Sequence, residues 1–207
     1  MKKIVLCCFL ALGTLSSFNT CYSQTERGVL INGVIWARTN VAAPGTFAAN
    51  PENAGMFYQW NSKIGWPSAG TVTDWDSNWN GGYTTASVTD TWTSTNDPSP
   101  VGWRVPLYAE IETLLDATKV ISTWTTYNSV YGEKFTDKTT GNSIFLPASG
   151  SRSLTDGTLY FAGSLGLYWS STASPGHNAF NLIFISSTAD WNYSVRAFGF
   201  SVRPVAK

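Results

Sequence analysis

Hydrophobic and polar positions alternate over short stretches of the chain, and turn residues bound most of these stretches. The first stretch is 29–37, in which two β-rich triplets flank Asn32-Gly33, the pair that best tolerates the positive φ angles of a type I′ turn. We therefore predict that the folded domain opens with a β-hairpin. Similar short apolar stretches predict further strands at 143–146, 167–171, 179–185 and 196–203.

One segment has the period of an amphipathic helix. After a proline, apolar residues return every three or four positions, at Leu107, Ile111, Leu114 and Leu115. Glu110 near the start of this segment and Lys119 at its end both complement a helix dipole. The pattern predicts a helix over residues 108–118.

Residues 44–100 show no sustained period. They are rich in Gly, Asn, Asp, Thr and Trp, and turn pairs occur at Pro44-Gly45, Gly81-Gly82 and Asp97-Pro98. We predict long packed loops in this part of the chain. Two interpretations stay open within it: 50–52 caps a short helix, or the aromatic residues that follow at 57–60 form a strand.

These elements predict an α+β fold with short antiparallel strands, one or two helices and long packed loops. Ten Trp, nine Tyr and eleven Phe with only 13% charged residues favour β-structure over long helices. The chain length suits one compact domain, which we predict spans 24–207.

The first 23 residues are predicted to be an export signal rather than part of the fold. Two lysines precede an apolar run over 4–12, and Cys21 and Ser23 are the small residues expected before cleavage ahead of Gln24. The run is shorter than the about 20 residues that a membrane-spanning helix needs. Lipid attachment at Cys21 is the alternative, disfavoured because 18–20 lack the small side chains that normally precede such a site. We predict an exported protein, secreted or on the cell surface.

The positions of the cysteines and the net charge restrict the class of protein further. The cysteines, Cys7, Cys8 and Cys21, all precede the predicted cleavage point, so the mature domain is expected to fold by packing alone. Removing Lys2 and Lys3 from the 13 basic residues leaves 11 against 13 acidic ones, a net charge of −2. This balance argues against nucleic acid as a partner.

Five segments, LINGVIWARTNV, NDPSPVGWRVPLYAEIETLL, GNSIFLPASGSRS, GLYWSST and GFSVRPV, carry a resemblance to a known family. In order and spacing they resemble the secreted bacterial proteins of the Fibrobacter major paralogous domain family. The resemblance implies a C-type-lectin-like fold related to the formylglycine-generating enzymes, in which GWRVP leads into a helix. Relatives usually have a helix-capping Thr where this chain has Leu107, so we expect another group to cap the helix.

The segment 150–205 more narrowly resembles the variable region of proteins diversified by retroelements. In such proteins an adenine-rich template is copied with errors, which substitutes particular codons of the gene. Motifs such as YWSST and GFSVRPV stay unchanged. The resemblance implies a ligand-binding face formed by the substituted positions. These are Ser151, Ser153, Leu154, Tyr160, Phe161, Leu165, Leu167, Phe180, Ile183, Ile185, Trp191, Asn192, Tyr193, Val195 and Phe198. Their mixture of rigid aromatic anchors and adaptable polar groups is typical of a paratope.

The aromatic residues outside this set are predicted to be core, namely Trp36, Trp60, Trp103, Trp169 and Phe200. In the closing segment we expect Phe200 and Val202 to face the core, and Trp191 and Tyr193 to contact a partner. Three arginines are expected to tie loops to the core through hydrogen bonds or acidic partners: Arg104, Arg152 and Arg203.

Candidate catalytic and metal-binding groups are few. The predicted mature chain lacks the cysteine thiolates of formylglycine chemistry, and His177, the only histidine, has no second zinc ligand at a typical spacing. No G-x-S-x-G marks a catalytic serine. An alternation of acidic and amide residues resembles an EF-hand loop and consists of Asp74, Asp76, Asn78 and Asn80. It lacks the Gly at the sixth position and the closing Glu of such a loop, so a solvated turn is favoured. Calcium binding is left open. We predict neither catalytic residues nor a cofactor.

The function predicted from these observations is that of an exported, receptor- or adhesin-like binding protein. It would display a diversifiable, aromatic-rich face on a fixed scaffold, and its partner would be a protein or glycan on a cell or phage surface. A structural or tip subunit of a surface assembly is the alternative, an enzyme is disfavoured, and self-association is left open.

Overall fold

The computed structural model describes residues 27–79 and 91–207. The predicted export signal with Cys21, the Gly81-Gly82 turn and Asn80 lie outside these residues. Within the two described ranges, no helix is long and apolar enough to cross a membrane.

Fifteen strands and one helix form within the described ranges. The helix α1 is Tyr108–Leu115. The strands are β1 Gly28–Ile31, β2 Val34–Ala37, β3 Met56–Gln59, β4 Gly65–Pro67, β5 Trp103–Arg104, β6 Val120–Tyr127, β7 Val130–Asp137, β8 Ser143–Pro147, β9 Ser151–Arg152, β10 Leu159–Tyr160, β11 Gly166–Ala173, β12 Asn178–Ile185, β13 Thr188–Val195, β14 Gly199–Ser201 and β15 Val205–Ala206.

The fold is nearly all-β, with 44% of the described residues in strands and 6% helical, so the α+β prediction is wrong. The largest omission is the hairpin of β6 and β7, eight residues paired with eight. Strand β13 was not among the predicted strands either. Both strands consist mainly of exposed or half-buried residues, which leaves little apolar alternation to read in the sequence.

The described residues form three sheets. The first has the order β1-β2-β15-β5, so the last strand pairs with both the opening hairpin and the entry to α1. The second has eight strands, ordered β10-β9-β14-β11-β12-β13 with β3 and β4 branching from β14. The third is the meander β6-β7-β8. Strands β10 and β13 therefore lie at opposite edges of the large sheet.

The opening hairpin is confirmed. Ile31 pairs with Val34 across a two-residue turn, and both turn residues have positive φ, 42° at Asn32 and 85° at Gly33. A type I′ turn needs these angles at both positions, and they are accessible to Asn and Gly at little steric cost.

The predicted helix is also present but ends three residues early. The Asp116 carboxylate accepts hydrogen bonds from the Thr118 amide at 2.9 Å and hydroxyl at 2.6 Å, a local turn that competes with further helix. At the other end, Leu107 offers no capping oxygen. The Glu110 carboxylate instead accepts the Leu107 N–H at 2.7 Å, and Thr172 on β11 accepts the Tyr108 N–H through its hydroxyl at 3.0 Å.

Other local predictions have mixed outcomes. Strands β8, β11 and β12 confirm three of the predicted segments, whereas 196–203 is a strand only over Gly199–Ser201. The loop region contains β3 and β4, and 50–52 forms a turn, so the strand interpretation was right and the helix wrong.

The core contains the predicted aromatics, because Trp36, Trp60, Trp103, Trp169 and Phe200 are all buried. The predicted arginine anchors are confirmed too. Buried Arg203 donates to Asn40 Oδ1 and to the carbonyls of residues 37, 38 and 145. Arg152 donates to carbonyls at 67, 69, 70 and 157, and Arg104 forms an ion pair with Glu110.

Candidate binding surface

The fifteen residues of the predicted face divide into three groups by exposure. Six are exposed: Tyr160, Phe161, Ile185, Trp191, Asn192 and Tyr193. Five are half-buried: Ser153, Leu165, Phe180, Ile183 and Phe198. Four are buried: Ser151, Leu154, Leu167 and Val195.

The buried group cannot contact a ligand in this fold. Leu167 packs in the cluster with Trp169 and Phe200, while Leu154 and Val195 form a smaller cluster of their own. Ser151 lies on β9, inside the large sheet. The expectation that these four positions belong to the contact face is corrected on this ground, since burial removes their side chains from solvent.

The exposed residues do not form one face. Tyr160 and Phe161 pack ring to ring at 5.9 Å on and beside β10, whereas Trp191 and Tyr193 lie on β13, at the other edge of the sheet. Five strand intervals of about 4.8 Å separate these edges, roughly 24 Å in all. The exposed aromatic residues among the predicted positions thus form two patches where a single face was expected.

The patch on β13 is the larger, and we call Tyr108, Phe180, Trp191 and Tyr193 the β13 surface. Phe180 pairs directly with Tyr193, and the next pair on the same face is Leu182 with Trp191. Leu182 is buried in the core, and the pair of Phe180 and Tyr193 lies next to it on the same face. Ile183, Ile185 and Asn192 lie on the opposite face of this hairpin, because their positions alternate with those of the β13 surface.

The rings of the β13 surface brace one another. The Tyr108 ring lies 4.4 Å from Phe180 and 5.4 Å from Trp191, and Phe180 lies 5.8 Å from Trp191. The Trp191 ring stands nearly perpendicular to that of Tyr108, an edge-to-face geometry that aromatic pairs favour. Trp191 remains 42% exposed and Tyr193 54%. The Trp191 ring is therefore held in place by its neighbours yet open to solvent.

Tyr108 was missed by the sequence reasoning. It is the first residue of α1 and lies more than 70 residues before Phe180, so no local pattern connects the two. Burial of its hydroxyl raises the pKa of Tyr108, and a hydrogen bond to Glu112 and the charges of Glu112 and Asp190 raise this pKa further. Two carboxylates thus lie near an otherwise aromatic surface.

The outer edge of β13 is partly covered by its own side chains. The Trp191 N–H donates to Asp190 Oδ1 at 2.7 Å, and the Tyr193 N–H donates to Asn192 Oδ1 at 2.8 Å. A charged or polar side chain in this position blunts an edge strand against pairing with another chain. Asn192 therefore has a local structural role in addition to its predicted one.

The described part of the EF-hand-like alternation is a turn. The Asp76 carboxylate accepts the Asn78 N–H at 2.9 Å, and the Trp75 and Trp79 indoles donate to the backbone carbonyls of Leu154 and Trp60. Across 27–79 and 91–207, no three side chains of His, Cys, Asp or Glu gather as a metal site would require.

No family model, curated protein or solved structure matches this chain. The resemblance to the Fibrobacter major paralogous domain family is therefore carried by the quoted segments and stays a prediction.

Proposed function

We propose that this is an exported binding protein that recognises a protein or glycan on a cell or phage surface through the β13 surface. The observation that carries the proposal is the braced set of rings formed by Tyr108, Phe180 and Trp191, with Tyr193 beside it. Rigid aromatic side chains bury much area for little loss of conformational entropy, and such residues dominate binding energy at interfaces.

The resemblance of 150–205 to retroelement variable regions adds a second element to the proposal. Of the fifteen substituted positions, Phe180, Trp191 and Tyr193 would be those that change the ligand, and Tyr108 would be a fixed neighbour. A protein partner would bury on the order of 800 Å² of this molecule, and the β13 surface would form its centre.

The test compares two double variants. Trp191→Ser with Tyr193→Ser removes the exposed anchors of the β13 surface, and Tyr160→Ser with Phe161→Ser removes a matched exposed pair from the opposite edge. Labelled proteins are applied to a glycan array, to intact bacterial cells and to phage particles. We expect the first variant to lose at least tenfold in binding and the second to bind as wild type.

Two results would contradict this proposal. Undiminished binding by the Trp191/Tyr193 variant would remove the β13 surface from recognition. A loss of thermal stability that accompanies the loss of binding would assign these rings to the core.

The alternative, a subunit of a surface assembly, would bury β13 against a sister subunit. The side chains of Asp190 and Asn192 oppose strand-to-strand assembly, because they already accept the N–H groups of Trp191 and Tyr193. Light scattering on the purified protein separates the two functions: a monomer favours recognition of a different partner, and a closed or growing oligomer favours assembly.

A further inference from the structure

A carboxyl group is buried on the apolar face of the three-stranded sheet. Glu133 is only 4% exposed and pairs in register with Trp124 on β6 and Leu146 on β8. Side chains at alternate positions share a face, so Glu133 lies on the same side of β7 as the buried Phe135. A charged group in such surroundings is costly unless a partner compensates it.

The protein supplies only part of that compensation. The Ser122 hydroxyl donates a hydrogen bond to Glu133 Oε1. Burial raises the pKa of Glu133 and the Ser122 hydrogen bond lowers it; no cation of the described residues contributes. The second carboxylate oxygen therefore has no donor of its own among the bonds formed by residues 27–79 and 91–207.

Lys134 does not neutralise this carboxylate. Neighbouring residues of a strand point to opposite faces, and Lys134 pairs with Thr123 and Phe145 on the outer side of the sheet. There it lines a different cavity, together with Phe145 and Tyr127. The two charges are thus separated by the thickness of the sheet.

Glu133 opens into a cavity of about 260 Å³. The cavity lies between the inner face of the β6–β7 hairpin and the tip of the β12–β13 hairpin. Its wall carries hydroxyl groups around the single carboxylate, and the main lining residues are Ser122, Trp124, Glu133, Ser186, Ser187 and Thr188. Ile185 and Ala189 complete an apolar rim.

We propose that this cavity binds the primary ammonium group of a ligand, with Glu133 as the counter-ion. An ammonium carries three donors and no acceptor. One donor suits the free oxygen of Glu133, and hydroxyl oxygens at Ser186, Ser187 or Thr188 can accept the others.

A neutral hydroxylated ligand fits the wall but leaves the carboxylate uncompensated. A hydrogen bond to a charged group is roughly twice as strong as one between neutral groups. The charge of Glu133 therefore selects an amine over a polyol of the same size. This site is distinct from the β13 surface and does not depend on the function proposed for it.

The test uses n-butylammonium chloride as the probe and n-butanol, which is uncharged and of equal length, as its control. Two-dimensional amide NMR spectra of the wild-type protein are recorded during each titration at pH 7. We expect n-butylammonium to shift the amide signals of Ser122, Glu133 and residues 186–189, and n-butanol to leave them in place. Equal shifts from both compounds would overturn the proposal without any need for a variant.

Glu133→Gln then tests the counter-ion directly. Gln keeps the size of the side chain and an oxygen that accepts from Ser122, so the unliganded spectrum reports whether the fold is kept. We expect binding of n-butylammonium to weaken about tenfold or more, whereas the Trp191→Ser, Tyr193→Ser variant should bind it as wild type. Undiminished binding by a folded Glu133→Gln protein would refute the site.

Two further probes distinguish between the possible sources of the ammonium group. Nα-acetyl-lysine amide represents a protein side chain, and methyl glucosaminide represents an amino sugar. Tighter binding of either than of n-butylammonium identifies the class of natural ligand. Methyl glucoside, which lacks the amine, should not bind, and a response to it equal to that of the glucosaminide would contradict the proposal.

Discussion

The Phe198 ring lies against Phe200, with centroids 5.7 Å apart and planes inclined by 22°. Phe200 in turn stacks on Trp169 at 4.2 Å, inside the core. Phe198 is half-buried and forms the outer layer of this stack. The boundary between scaffold and surface therefore falls before Phe198, close to the end of β13.

This boundary predicts different costs for two aromatic substitutions. Phe198→Ala removes part of the core stack and should lower the free energy of unfolding by about 2 kcal/mol. Tyr193→Ala removes a ring that is 54% exposed and should change it by less than about 0.5 kcal/mol. Urea denaturation measures both, and similar losses in the two variants would mean that the boundary is misplaced.

The buried guanidinium of Arg203 predicts that lysine cannot replace it. Its donors satisfy Asn40 and three backbone carbonyls, one of them Phe145 O on β8. Lysine has fewer donors on a single atom, so Arg203→Lys should cost about 2–3 kcal/mol. Arg104→Lys is the control, because its ion pair with Glu110 is partly exposed and should contribute at most about 1 kcal/mol. Equal losses of stability in the two variants would argue that the fork geometry of the guanidinium is not what makes Arg203 irreplaceable.

The cap that Thr172 provides to α1 is testable with nearly isosteric variants. Thr172→Val leaves the Tyr108 N–H without its acceptor and should destabilise the protein by about 1 kcal/mol. Thr172→Ser keeps the hydroxyl and should retain most of the stability. Hydrogen exchange of the Tyr108 amide adds a local readout: we expect faster exchange in the Val variant alone.

The raised pKa of Glu133 predicts how stability depends on pH. The folded protein holds this proton more tightly than the unfolded chain, in which the pKa is near 4.5. The protonated Glu133 therefore contributes stability that is fully present below pH 4.5. This contribution is lost as the pH rises through the pKa of Glu133 in the folded protein. Glu133→Gln removes this loss, so its melting temperature should exceed that of wild type at pH 7, and the difference should shrink towards pH 4.

The control for this pH experiment is Asp190→Asn. It removes one negative charge from an exposed position and keeps an oxygen for the Trp191 N–H. Its melting temperature should stay close to that of wild type at both pH values. A Glu133→Gln protein that is less stable than wild type at pH 7 would show that the charged carboxylate stabilises the fold.

Much of the local structure could be predicted from short-range chemistry. Asn32-Gly33 specifies its turn because few other residue pairs adopt two positive φ angles. The large aromatic residues at 36, 60, 103, 169 and 200 enter the core because their apolar area is costly in water. The exposure of Trp191 and Tyr193 was anticipated on a different ground, the resemblance of 150–205 to retroelement variable regions.

The candidate site was less predictable, because pairing between distant strands positions it. Tyr160 and Trp191 belong to one stretch of sequence, yet β10 and β13 lie at opposite edges of the sheet. Leu154, Leu167 and Val195 are aliphatic like the exposed Ile185, yet they are buried. The sequence alone does not separate these cases, since burial depends on what packs above each residue.

The opening hairpin, the position of α1 and the aromatic core could be predicted from local sequence, because turn angles, helical period and hydrophobicity act over a few residues. The nearly all-β class, the contact of Tyr108 with Phe180 and the enclosure of Glu133 beneath the β12–β13 tip became visible only in the folded structure. These features depend on hydrogen bonds and packing between segments far apart in the chain, and no local pattern records which segments become neighbours.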